Sequence, residues 1–277
     1  MTSIVGPAMP ALRRLVAQVW SHEAAPQVSR LCASREHVIP TGSTHLVLRI
    51  GGPPIRTYDD ATDLRGHRLG HAVVGGARST YHVRELSGPA ASVGVVLRPG
   101  ASQVLLGVPE SALAGHHTPL ELLVGESVVD ALLGRLHACS CAQQRLALVE
   151  QWLVARSLGR GPALHPALTE ALSMSVQRVG SVRGMVEAGG MSHRHWIALF
   201  RHSTGLLPRE WLRLRRFSRA IEWASQPSLG WADVAAASGF ADQAHLANTF
   251  RTVAGVSPSE WRRSVDPAAP NHVPMRR

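Results

Sequence analysis

The sequence predicts an α+β protein in two parts: a β-rich N-terminal sandwich or barrel with helices, then an all-α C-terminal domain holding two copies of one helical unit. Three observations predict it. Between residues 46 and 98, short β-branched or alternating segments recur between Gly/Pro clusters. From 119 to 158 the apolar spacing becomes helical. Residues 191–211 and 241–261 then superpose with a shift of 50, aligning His195/His245, Phe200/Phe250, Arg201/Arg251, Gly205/Gly255, Pro208/Pro258, Glu210/Glu260 and Trp211/Trp261. Chance seldom aligns a Gly, a Pro and a Trp together, so the unit is duplicated.

In chain order, LVLRI (46–50), AVVGG (72–76), STYHVREL (79–86) and ASVGVVLR (91–98) read as strands, with turns such as Gly51-Gly52-Pro53-Pro54 between them. Short strands at this spacing imply a sandwich or small barrel. Leu120, Leu123 and Val124, then Val128, Leu132, Leu133 and Leu136, then Leu146, Val149 and Leu153 mark helical apolar faces. The domains expected are 1–158, a Gly-rich linker at 159–163, a helical domain over 164–264 opened by a helix from Leu164 to Val179, and a flexible tail over 265–277.

Each copy of the unit reads as helix, turn, helix. In the second, Trp231–Ser238 is a short helix ended by Gly239, and Asp242 caps a helix running to about Thr252, with Leu246, Thr249 and Phe250 inward. In the first, Val182–Ala188 leads, Gly189-Gly190 turns, Ser192 caps, and Trp196, Leu199 and Phe200 point inward. Gly205 and Gly255 stop the second helices, and Pro208 and Pro258 start the next ones. This is the geometry that lays a recognition helix in the major groove.

Residues 164–264 resemble the DNA-binding domain of AraC/XylS-family transcription regulators, whose signature region is matched by GFADQAHLANTFRTVAGVSPSEWR (239–262). The resemblance implies two helix-turn-helix subdomains joined by one long helix, here Leu207–Ala224. HVIPTGSTHLVLRI (37–50), VVLRPGASQVLLGVP (95–109) and CAQQRLALVEQWLVAR (141–156) resemble the cupin-like sensing region fused to some of these regulators. That likeness implies an N-terminal domain that binds an effector, dimerises, or both, and names no ligand.

Charge fits this reading. All 29 basic residues are Arg; residues 1–177 hold 15 Arg against 12 acids, and 178–277 hold 14 against 7. The excess sits where phosphates would be met. Cys32, Cys139 and Cys141 make no disulfide framework, Arg13-Arg14 leads no apolar signal core, and no apolar run spans a bilayer. A bacterial cytoplasmic protein, nucleoid-associated when bound and with no membrane partner, is expected.

No G-x-S-x-G, H-E-x-x-H, P-loop or dinucleotide fingerprint occurs, so no catalytic residue, cofactor or enzyme activity is assigned. His37, His45, His67, His71, His82, His116 and His117 are scattered, and no metal site is assigned to them. In His137-Ala-Cys139-Ser-Cys141, a helix would turn the two cysteines to opposite sides and leave too few ligands together.

With the inward stripes fixed, the outward sides are Ser192, His193, Arg194, Ile197, Ala198 and Arg201 in one copy, and Asp242, Gln243, Ala244, Ala247, Asn248 and Arg251 in the other. Arg194 can pair with guanine, Gln243 or Asn248 with adenine, and Ile197, Ala198, Ala244 and Ala247 can touch thymine methyls. Arg201 and Arg251 suit phosphate, while His195 and His245 suit capping or packing. Two departures from the resembled pattern stand out: the family commonly has a polar or basic pair at Ile197-Ala198 and often an Arg at Asn248. They shift readout toward apolar contact and DNA shape.

The function expected is that of a sequence-specific regulator whose two recognition helices enter successive major-groove segments of double-stranded DNA. A small-molecule effector or homodimerisation through the N-terminal domain would modulate it, and RNA polymerase would be contacted on activation. The alternatives are a ligand-independent DNA-binding protein with a protein-interaction N-terminal domain, and a chain with a catalytic N-terminal barrel.

Overall fold

The computed structural model describes residues 2–6, 8–23, 35–86, 90–161, 164–173, 182–267 and 269–275; Cys32 lies outside them. Period-two burial builds the first sheet. In β4 (His45–Gly51), Leu46, Leu48 and Ile50 are buried on one face; β9 (Ala91–Leu97) adds Val93, Val95 and Leu97, and β7 (Ala72–Gly75) adds Ala72 and Val74. With β1 (Thr2–Gly6), β2 (Val16–Glu23) and β10 (His117–Pro119) they form an antiparallel sheet in the order β1-β2-β9-β4-β7-β10. Helices α1 (Ala101–Leu105), α4 (Glu126–Ala138) and α5 (Ala142–Ser157) cover its apolar face with Leu105, Val129, Leu132, Leu136, Val149 and Leu153. Short helices α2 (Glu110–Leu113) and α3 (Glu121–Val124) flank β10.

A second antiparallel sheet has the order β11-β3-β8-β5-β6, from β3 (Arg35–Val38), β5 (Ile55–Tyr58), β6 (His67–Gly70), β8 (His82–Glu85) and β11 (His272–Pro274). It faces the other side of the first sheet, as the ring contact between His82 on β8 and His117 on β10 shows (centroids 4.5 Å apart). The α+β architecture is therefore as the sequence predicts. STYHVREL, however, contributes only four strand residues, and several strands here carry charged side chains that hide their alternation.

Two expectations need correction. The segment 139–141 is not helical: α4 ends at Ala138, and Cys139 and Cys141 are extended residues of the turn into α5. The opposite-faces argument therefore does not apply to them. The tail is not free either. Residues 272–274 form β11, pairing His272 with Val38, Val273 with His37 and Pro274 with Glu36. Val273 is 2% exposed, so the tail carries an apolar anchor as well as backbone bonds.

The C-terminal domain begins with α6 (Pro166–Ser173), inside the helix expected from 164 to 179; residues 174–179 of that expectation lie outside the described residues. It continues with α7 (Val182–Gly189), α8 (His193–Thr204), α9 (Pro208–Ala224), α10 (Trp231–Ser238), α11 (Gln243–Ala254) and α12 (Pro258–Ser264). Its core holds Trp196, Phe200, Trp211, Phe217, Phe250 and Trp261, and takes in Ile39, Ala77 and Val273 from outside the helices. The two domains thus share a packed interface.

Candidate nucleic-acid interface

The duplication seen in sequence is a duplication of geometry. Phe200 packs edge-on to Trp211 and Phe250 edge-on to Trp261, each with centroids 6.0 Å apart. Glu210 Oε2 accepts the Leu207 amide at 2.9 Å, and Glu260 Oε2 accepts the Ser257 amide at 2.8 Å, so each unit launches its following helix alike. The helix α9, an amphipathic element with Trp211, Leu214, Phe217 and Ile221 buried, joins the two units in one frame.

Within each unit the second helix is capped as the sequence predicts. Ser192 Oγ accepts the His195 amide at 3.3 Å, and Asp242 Oδ1 accepts the His245 amide at 2.7 Å. Both helices end at a left-handed glycine, Gly205 (φ 75°) and Gly255 (φ 74°). Trp196 and Phe200 in α8, and Leu246 and Phe250 in α11, are fully buried; Leu199 is half-buried. These stripes fix which side of each helix faces out.

The outward side of α8 with its cap presents Ser192, His193, Arg194, Ala198 and Arg201, all exposed. In α11 and its cap, Asp242, Gln243, Ala244, Asn248 and Arg251 are exposed and Ala247 is half-buried. Ile197 is also half-buried and packs partly on the core, so part of its surface is committed to the fold. Among the described residues, Arg194 and Arg201 have side chains without a protein hydrogen bond or ion pair, whereas Arg251 Nη1 donates to Asn248 Oδ1 at 3.4 Å. His245 sits edge-on to Phe240, centroids 5.2 Å apart, which suits packing rather than reading a base.

Not every Arg of the basic excess is available to phosphate. Arg262 lies 3.8 Å over the Trp231 ring and donates to the carbonyls of Ala224 and Leu229 at 3.2 and 3.1 Å. Arg219 donates to Ala237, and Arg213 reaches the Ser79 carbonyl in the other domain. A charge count over the sequence cannot separate such internal guanidiniums from free ones.

The N-terminal domain touches the same place in both units. The Gly100 amide donates to the carbonyl of Ser203 in α8 at 2.7 Å, and His37 Nδ1 donates to that of Ala254 in α11 at 3.1 Å. A Cβ on Gly205 would lie 3.0 Å from the Glu110 carbonyl oxygen, and one on Gly255 would lie 2.5 Å from His37 Nδ1. The carboxyl ends of both recognition helices are held while their amino-terminal outward sides stay exposed. Nothing in the sequence signalled these contacts, which join residues distant along the chain.

Outside this surface, Asp59, Asp63 and His67 bring one ligand atom each within 4.8 Å of one another at an exposed turn. Hydrogen bonds from Gly66, Arg65 and Asp59 amides already occupy Asp63.

Comparison with known proteins agrees in location. The helix-turn-helix domain family matches residues 185–264, and a domain of unknown function, DUF6597, matches residues 6–119. Over 106 residues the chain is 34% identical to the HTH-type transcriptional regulator GlxA of Rhizobium meliloti, covering 36% of this chain and 32% of that protein. The chain thus matches about a third of that relative's length. A solved DNA-binding domain of AdpA, a global transcriptional factor in complex with a target DNA, is 25% identical and covers 36% of this chain and 92% of that one, with a TM-score of 0.33. A transcriptional regulator with an AraC-type DNA-binding domain from Chromobacterium violaceum is 28% identical, covering 35% and 90%, with a TM-score of 0.33. ToxT from Vibrio cholerae is 13% identical over 84% of this chain and 96% of that one, with a TM-score of 0.44.

Proposed function

The C-terminal third of this chain is a double helix-turn-helix domain of the AraC/XylS type, and from that premise we propose that the protein is a sequence-specific DNA-binding transcription regulator. The observation that carries the reading is the pair of capped, equivalent helices whose outward sides are exposed and whose frame is one rigid helix, α9. Arg194 and Gln243 sit in the first turn of their helices, where a recognition helix meets base edges. Arg201 and Arg251, a turn or two later, suit phosphate and set register. Ala198, Ala244 and the free part of Ile197 offer apolar contact to thymine methyls.

In this reading the N-terminal domain is the regulatory part. It holds the carboxyl ends of both recognition helices, so a ligand or a second copy that favours one arrangement of the domains changes how both helices meet DNA. Double-stranded DNA is the primary partner, with RNA polymerase contacted on activation. The protein acts without catalysis, as its named relatives are regulators, and in the cytoplasm; among the described residues no helix is long and apolar enough to cross a membrane.

The test is binding to a fluorescent fragment from upstream of the protein's own gene, with salt titration and excess random competitor. Saturable binding that survives competitor supports the reading. Binding erased equally by any DNA, with a steep salt slope, would leave only phosphate attraction.

A further inference from the structure

The two capped helices agree on their buried sides and differ on their exposed ones. In α8, His193, Arg194, His195, Arg201 and His202 are all exposed, and none of their side chains has a hydrogen bond or ion pair among the described residues. In α11 the places of His193, Arg194 and His202 are taken by Gln243, Ala244 and Thr252, and Arg251 is the one arginine of the helix. The Thr252 hydroxyl is turned back onto its own helix, donating to the Asn248 carbonyl at 2.9 Å, and the His245 ring packs edge-on to Phe240. His195 is the counterpart of His245, yet only its backbone amide is engaged, by Ser192; its ring faces solvent. The packing that explains His245 does not explain His195.

Helix geometry sorts these cations into two columns. At about 3.6 residues per turn, positions seven apart share a side. Arg194 and Arg201 therefore form one column along α8, and His195 and His202 form another. Trp196, Phe200, Ser203 and Thr204 make up the buried side, and Ala198 lies opposite to it. The two columns flank Ala198, each about 50° away around the helix axis. An α-helix with its side chains is about 10–12 Å across, and the major groove is about 12 Å wide. A helix that turns Ala198 to the base pairs thus fills the groove and brings one column to each of its walls, which are lined with phosphate.

No acid of the protein competes for the histidines. Helix α8 packs on α2, on α7 and on the first turns of α9, where Phe200 meets Trp211. Of the acids there, Glu110 is buried and engaged by Thr44 and the Ser102 amide, Glu187 pairs with Arg183, and Glu210 takes the Leu207 amide and the Ser79 hydroxyl. The other charged groups on those first turns, Arg209 and Arg213, are cations. We infer that His195 and His202 are DNA-contacting residues that meet the phosphates of the groove wall opposite Arg194 and Arg201, and take up protons as they do so. Histidine is the side chain that ordinarily changes charge near physiological pH, and a phosphate beside the ring favours the charged form. Protons taken up on binding make the affinity rise as pH falls, by the reciprocity of linked equilibria. The first unit is then an anchor whose strength follows acidity, while Gln243 and Asn248 of the second do not titrate. The inference rests on the DNA-binding reading above and adds two residues and a pH response to it.

The test uses the full chain and fluorescence anisotropy on two duplexes, the upstream fragment and a random one, at about pH 8 and about pH 6. The readout is the ratio of the two affinities for each protein, so any change already present at the higher pH divides out. For the natural protein the ratio should be about ten on both duplexes, because phosphates are common to all sequences, and the salt slope should steepen by about one to two. The double variant His195→Gln/His202→Gln should bring the ratio to about one. The variant His195→Arg/His202→Arg, charged at both pH values, should also give about one, but bind at the higher pH as tightly as the natural protein does at the lower. Both side chains are exposed, so circular dichroism should show the fold unchanged in either variant. A ratio of about one for the natural protein overturns the inference. So does an undiminished ratio in the Gln variant, which would assign the protons to His193 or to the inter-sheet histidines, or an Arg variant that binds no tighter than the natural protein at the higher pH. Equal affinity for the two duplexes with the ratio intact would sink the regulator reading alone, whereas binding to neither would sink both.

Discussion

His37 Nδ1 lies 3.1 Å from the carbonyl of Ala254, 217 residues along the chain, and its ring stacks on Tyr81 with centroids 4.4 Å apart. One side chain of the N-terminal domain so closes the last turn of the second recognition helix. His37→Ala should destabilise the folded chain by about 1–3 kcal/mol, the range for orphaning a buried acceptor, and urea unfolding checks it. A midpoint unchanged from the natural protein would mean that water replaces the ring.

Arg194→Ala should leave the melting temperature unchanged and weaken operator binding by about 1–3 kcal/mol, because the side chain is exposed and touches no protein partner. Arg251→Ala should instead weaken binding to all sequences alike and reduce the salt slope by about one. Fluorescence anisotropy at several salt concentrations separates them. Unchanged operator affinity for Arg194→Ala would remove its base-reading role.

Phe250→Ala should cost about 3–5 kcal/mol, since its fully buried ring contacts Phe217, Trp231 and Trp261. DNA binding is then lost through unfolding, so circular dichroism and binding should fall together.

Arg262→Met tests whether a basic residue near DNA must face it. Losing the Trp231 stack and two charged hydrogen bonds should lower stability by about 2 kcal/mol or more, with the salt slope unchanged. A slope lower by about one with normal stability would reassign Arg262 to phosphate.

Stability should also depend on acidity through the inter-sheet histidines. Burial keeps His45 and His117 neutral to about 4 and about 3, and holds His82 well below 6.5, whereas the unfolded chain protonates near 6.5. Below that value the unfolded state takes up protons that the folded state refuses, so stability falls. Melting temperature should be level above about pH 6.5 and drop steadily from there to pH 4. Glu36, held to about 2 against 4.5 by His272 and Arg84 despite burial, adds a further loss below pH 4.5. A profile flat from pH 7 to 5 would mean that the histidines are hydrated.

The C-terminal domain was largely legible because its signals are local. Gly239, Asp242 and Pro258 act on their own neighbours, and the repeat counted each of them twice. Which residues of the two capped helices stand exposed followed from the buried stripes, apart from Ile197 and Ala247, which are half-buried, Ile197 through packing on the core that no spacing rule reveals. The N-terminal domain was legible as a class but not in detail. Arg35–Val38 and His67–Gly70 are strands with polar or charged side chains at most positions, so apolar alternation passes over them. The grip of His37 on Ala254 and the pairing of residues 272–274 depend on closure over more than 200 residues, which leaves no trace in any window.

β11 ties the chain back to the domain from which it started. With one connection leaving α5 and another returning through the tail, the helical domain is joined to the first at both of its ends, and Gly100, His37 and Ser79 bond it in between. Free swinging about a single linker is thereby removed. A displacement that kept these bonds would carry both capped helices together and preserve their spacing.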